Sequence, residues 1–94
     1  NKKVMSQVAT QIATERHREA VLLRDKGDIK GARKALQDNA TYLNNKAKEY
    51  GASELLEFEK KNRAQASQLD AKNWAKTRKS MRHDQFRYGK QQAY

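Results

Sequence analysis

An all-α fold, an antiparallel helical hairpin with one or two further helices in a small bundle, is what this sequence predicts. Three observations carry that expectation. The chain holds no proline and only four glycines, so the usual helix breakers are nearly absent. It holds 13 alanines, the best helix former. Its apolar residues recur at three, four and seven positions, and nowhere does a β-branched run of period two reach useful length. Composition alone pulls the other way: Leu, Ile, Val and Phe number 14 of 94 and the formal net charge is +10, which falls on the disordered side of the compositional boundary. Correct spacing of the apolar residues decides for helix over coil. A single small domain of this size buries only about 60–65% of its unfolded surface.

The clearest element is the second helix, expected over about 28–50. From Ile29, the residues Leu36, Leu43 and Tyr50 follow at intervals of seven, with Ala32, Ala40 and Ala47 in the intermediate turns. Asp28 is its natural N-cap and Gly51 its C′ residue. Upstream, Val4 or Met5, Val8, Ile12, Ala13, Ala20 and Leu23 give a first helix over about 3–26, closed by Gly27. Downstream, Ser53 is the expected N-cap of a third helix with the stripe Leu55, Phe58, Asn62, Ala66 and Leu69. Trp74, Met81 and Tyr88 then repeat at seven in a shifted phase, which implies either a break between Ser67 and Asn73 or one long bent helix. Residues 1–71 thus read as hairpin plus third helix, and 72–94 as a basic, aromatic-containing C-terminal helix or tail.

The stretch RDKGDIKGARKALQ, residues 24–37, is the nearest approach to a chemical motif. A Walker-type phosphate loop needs its glycines followed at once by Lys and by Ser or Thr for the metal. Gly31 is followed by Ala32 and Arg33, so the stretch reads as an elbow between two helices. The wider segment EAVLLRDKGDIKGARKAL, Glu19 to Leu36, resembles the helix, Gly-Asp, helix turn of tetratricopeptide-like hairpins. One such unit is visible, where a solenoid needs about three.

A closer resemblance covers most of the chain. An Ala-rich helix, a Gly-Asp elbow, a second helix with small residues facing the first and a basic, aromatic tail recur in that order in the helical region following the von Willebrand factor A domain of bacterial secreted or envelope proteins. The matching features are Ala20, Gly27, Asp28, Ala32 and Leu36, then KTRKSMRHDQFRYGKQ, Lys76 to Gln91. The resemblance implies a non-catalytic appendage of a larger bacterial surface or secreted protein, in an extracytoplasmic setting. The Asp-x-Ser-x-Ser motif that holds metal in A domains is absent, so the resemblance implies that metal binding lies outside this stretch. Asn1 in first position reads as the start of a piece of something longer.

Catalytic residues are not evident. His17 and His83 are the only histidines; each sits among charges and reads as a solvated helix-face residue. Asp84 cannot orient His83, because neighbours on a helix point about 100° apart. Without cysteine or a second acid at ligand spacing, no metal site or cofactor is expected. Glu54, Glu57 and Glu59 read as a solvated face, with Glu57 placed to pair with Lys60 or Lys61. NAT at 39–41 matches a glycosylation acceptor but falls inside the second helix. No stretch approaches the roughly 18–20 apolar residues of a membrane span.

The charge is concentrated. Lys72, Lys76, Arg78, Lys79, Arg82, Arg87 and Lys90 face one acid, Asp84, among residues 72–94, with Trp74, Phe86, Tyr88 and Tyr94 interleaved. Three readings stand: Trp74, Met81 and Tyr88 dock on the hairpin and leave the charges solvated; the segment binds a polyanion; or it meets a protein partner or adjacent domain. For binding, the candidate residues are Trp74 and Met81 as anchors, with Lys76, Arg78, Lys79, Arg82 and Arg87 as an electrostatic surface. The leading expectation is a helical interaction module, the alternative a small nucleic-acid-binding protein using the same cations. The thin core also favours self-association.

Overall fold

The computed structural model describes residues 1–90 as four helices: α1 (Lys2–Asp25), α2 (Ile29–Tyr50), α3 (Glu54–Ala66) and α4 (Ala71–Lys90). The tail positions Gln91 and Tyr94 lie outside the described residues. α1 and α2 form the expected antiparallel hairpin, α3 packs on α2, and α4 returns along α1, in a body of 42 × 23 × 17 Å.

The elbow is built by both glycines for different reasons. Gly27 takes φ +90°, a left-handed conformation in which its N–H donates to Arg24 O and the Asp28 N–H reaches Leu23 O. Asp28 then caps α2, its Oδ1 accepting from the Gly31 N–H at 2.8 Å. A Cβ on Gly31 would collide with that carboxylate, so the cap lies where only glycine leaves room. Gly51, at φ +61°, ends α2 as expected.

At the helix joints one expectation needs correction and one open choice is decided. Ser53 occupies the N-cap position of α3, but its side chain makes no capping bond; instead the Leu55 and Leu56 N–H groups reach back to Ala52 O and Ser53 O in a tight first turn. The phase shift near Leu69 is a true break: α3 stops at Ala66 and the connector is pinned from outside, Arg33 Nε donating to Ala66 O and Arg24 Nε to Leu69 O. Leu69, fully buried, plugs the core from the connector rather than from a helix.

The core has two apolar clusters. One holds Ala9, Ala13, Leu43, Ala47, Ala52, Leu55, Phe58 and Tyr88. The other holds Ala20, Val21, Ala32, Leu36, Ala66, Leu69 and Met81. The stripes expected on α2 and α3 face inward, with Ile29 and Tyr50 half-buried at the ends of α2. The stripe expected on α1 does not. Ala13 and Ala20 are buried, but Val4, Met5, Val8 and Ile12 are 37–48% exposed, and the inner face is made of Ser6, Ala9, Thr10, Thr14 and His17. α1 packs against all three other helices, and small residues let those neighbours come close. Thr10 and Thr14 satisfy their hydroxyls on Ser6 O and Thr10 O, one turn back, so they enter the core without an unpaired donor.

Candidate functional site: a buried polar layer and a basic helix face

Between the two apolar clusters lies a layer of buried polar side chains contributed by all four helices: His17 from α1, Asn39 from α2, Asn62 and Gln65 from α3, Asp84 and Gln85 from α4. Asn39 Nδ2 donates to Ala13 O and to Asn62 Oδ1, both at 2.9 Å, and Asn62 Nδ2 returns to Phe58 O. Gln65 Nε2 donates to Asp84 Oδ2 at 2.6 Å. With its amide nitrogen on Asp84, Gln65 turns its carbonyl oxygen, an acceptor only, toward His17. The His17 Nε2–H therefore donates to Gln65 Oε1 at 2.7 Å, and its Nδ1 accepts from Gln85 Nε2 at 3.0 Å. The row runs Gln85, His17, Gln65, Asp84, and Lys61 Nζ stands 4.0 Å from Asp84 Oδ1 at its edge.

His17 is thus the reverse of a solvated helix-face residue. It has no exposed surface, and its ring meets that of Phe58 in an edge-to-face contact. Burial pulls its pKa below the ordinary value, outweighing the Gln65 hydrogen bond and the Asp84 charge that act to raise it. Both ring nitrogens are engaged, so the row ties α1, α3 and α4 together. His83 stays on the surface as expected, and Asp84, its neighbour in sequence, serves His17 through Gln65 instead. Asn39, the nominal glycan acceptor, is fully buried. Among the described residues no three His, Cys, Asp or Glu side chains gather to hold a metal, and no helix is long and apolar enough to cross a membrane.

The acids of α3 reach other helices as well as their own. Glu57 pairs with Arg87 of α4 at 2.7 Å, not with Lys60 or Lys61. Glu59 is nearly buried; burial alone would raise its pKa, but hydrogen bonds from Asn44 of α2 and Arg63 hold it below the ordinary value.

The predicted binding residues divide into two groups. Met81 is fully buried in the second apolar cluster, so it anchors α4 to the hairpin and offers nothing to a partner. Trp74 is half-buried against that cluster; its Nε1–H donates to Asp25 Oδ1 at 3.2 Å and the Arg24 guanidinium covers its ring. Tyr88, the third of the heptad series, stacks on Phe58 at 4.1 Å between centroids, and burial together with the Glu57 charge pushes its hydroxyl up to about 12. Arg78 grips Asp25 of α1 through two nitrogens at 3.0–3.1 Å, and that hydrogen bonding holds Asp25 below the ordinary carboxylate range. With Arg87 on Glu57, two of the five predicted cations are committed to ion pairs inside the molecule.

The remaining three, Lys76, Lys79 and Arg82, are exposed on the side of α4 away from the core. Lys72, His83, Phe86 and Lys90 share that side, since on a helix of 3.6 residues per turn all of them lie opposite Thr77, Met81, Asp84 and Tyr88. From Lys72 to Lys90 the strip spans about 27 Å of helix. It carries no acid, because the single carboxylate of α4, Asp84, is turned inward. Lys72, Lys90 and the exposed Phe86 were members that the sequence did not separate from the rest of the basic segment; the helical phase set by buried Met81 and Tyr88 picks them out.

Comparison with family models, curated proteins and solved structures finds no match to this chain.

Proposed function

We propose that this chain is a non-catalytic helical interaction module whose working surface is the outward face of α4, and that the surface engages an anionic partner. The observation that carries the reading is the sorting of charge on one helix: Arg78 and Arg87 are spent on Asp25 and Glu57, while Lys72, Lys76, Lys79, Arg82 and Lys90 stand together with no acid among them. Such a strip focuses a positive field on one side of the molecule. The apolar anchors expected to serve a protein partner, Trp74 and Met81, work inside the fold, so the electrostatic half of that expectation is the half that survives. The sealed surroundings of His17 support the non-catalytic reading, because a general acid or base must reach a substrate. The resemblance to the region trailing bacterial A domains supports a place as an appendage of a larger protein.

A salt titration tests the surface. Binding to an acidic polymer such as heparin or polyglutamate, followed by fluorescence anisotropy, should be measurable at ~50 mM salt and weaken steeply toward ~200 mM. Replacing Lys76, Lys79 and Arg82 together by Gln should lessen both affinity and salt slope. Replacing Arg78, held by Asp25, should leave the slope nearly unchanged. No binding at the lower salt, or equal losses from the two variants, removes the proposal.

A further inference from the structure

We infer that the anion recognised by α4 is the backbone of a single-stranded nucleic acid, with Phe86 as the platform on which a base stacks. This rests on the basic face of α4 being the working surface, and it names that surface's partner.

The argument is one of matching chemistry to each occupant. Protein interfaces are poor in Lys and are built round a buried apolar centre. The α4 strip is the opposite, with four of its five full cations being Lys (Lys72, Lys76, Lys79 and Lys90) and one aromatic ring as its only large apolar group. A membrane surface calls for an amphipathic helix that lays its apolar side into the lipid. The apolar side of α4 is already used, since Met81 and Tyr88 are buried against the other helices. What remains is a row of flexible ammonium groups and one exposed ring, the pairing that binds single strands: cations follow the phosphates and the aromatic face takes a base.

Phe86 fits that role in two respects. It is 70% exposed, the most exposed large apolar side chain among the described residues, so packing gives no reason for a Phe there. It also sits within the row: Lys90 Nζ stands 5.8 Å from its ring centroid, and His83, Arg87 and Lys90 join it in lining a shallow, open depression. A base laid on the ring would leave its phosphates beside Arg82 and Lys90, one helical turn to either side. A duplex keeps its bases stacked on one another and would leave the ring without a partner.

The experiment uses the intact chain and three labelled probes: a single-stranded oligothymidylate of about 20 nucleotides, a duplex of the same length, and heparin. The single strand should bind most tightly at ~50 mM salt. Phe86→Ala, a surface change that leaves folding intact by circular dichroism, should weaken single-strand binding by roughly 5- to 150-fold with little change in salt slope. The same variant should leave duplex and heparin binding unchanged. Lys79→Gln should lower the single-strand salt slope by about 0.7. Equal affinity for single strand and duplex, or an unchanged affinity in Phe86→Ala, overturns the inference while leaving the anionic surface standing. Absence of binding to all three probes overturns both.

Discussion

Helix α2 buries Leu36 and Leu43 and turns its charges to solvent, whereas α1, of nearly equal length, buries mainly Ala, Thr and His, with Val21 its one large aliphatic residue inside, and turns Val4, Met5, Val8 and Ile12 outward. The difference follows from how many neighbours each helix must admit. α2 packs against α1 and α3 and fills the space there with large side chains. α1 lies against α2, α3 and α4 at once, and bulk on its inner face would hold them apart. Apolar periodicity therefore located both helices, but only for α2 did it also identify the buried face.

The comparison can be broken by substitution. Leu43→Ala on α2 should have the largest effect, about 2–5 kcal/mol of stability by denaturant unfolding, because it leaves a cavity beside Phe58. A loss under 1 kcal/mol would mean that the α2 stripe is not the main filler of the core. Enlarging the inner face of α1 should be the next most costly: Ala13→Leu forces a large side chain against Leu43 and Phe58 and should cost about 1–3 kcal/mol. If Ala13→Leu is instead stabilising, close approach is not why α1 is lined with small residues.

His17→Leu should cost about 1–3 kcal/mol at neutral pH, since the polar groups of Gln65 and Gln85 lose their partner. The same residue gives a pH signature. Its folded pKa is lowered from 6.5, so the unfolded chain takes up the proton first. The stability contributed by neutral His17 is complete above 6.5 and is lost as pH falls from there toward the folded value. Thermal melts between pH 7 and 5 should show a decline that His17→Leu flattens; an identical decline in the variant would assign it to other groups. The smallest effect belongs to the outer face of α1, where Ile12→Ala should change stability by no more than about 0.5 kcal/mol.

Legibility followed the same division. Helical spacing and the cap residues Asp28, Gly27 and Gly51 were readable because they depend on nearest neighbours along the chain. The stripe Leu55, Phe58, Asn62 and Ala66 is buried as its spacing said, including the polar Asn62, while Leu69 is buried from the connector. His17 was misread because charged neighbours at Arg16 and Arg18 are the ordinary mark of a solvent-facing turn. Its partners lie 48 and 68 residues away, so nothing local could have revealed them. The basic segment was visible as a run of charge; which of its cations were free was not, because Asp25 and Glu57 come from other helices.

By itself the sequence determined that this chain is helical, where its first two helices begin and end to within a few residues, and that its charge gathers toward the C-terminal end. Those properties arise from backbone preference, capping and composition, which act over a few residues. The tertiary structure decided which side of α1 is inside, how a polar layer could be buried across four helices, and which cations of α4 face outward. Each of these depends on groups far apart in the chain arriving at hydrogen-bond or ion-pair distance, and only the packed arrangement of helices sets those distances.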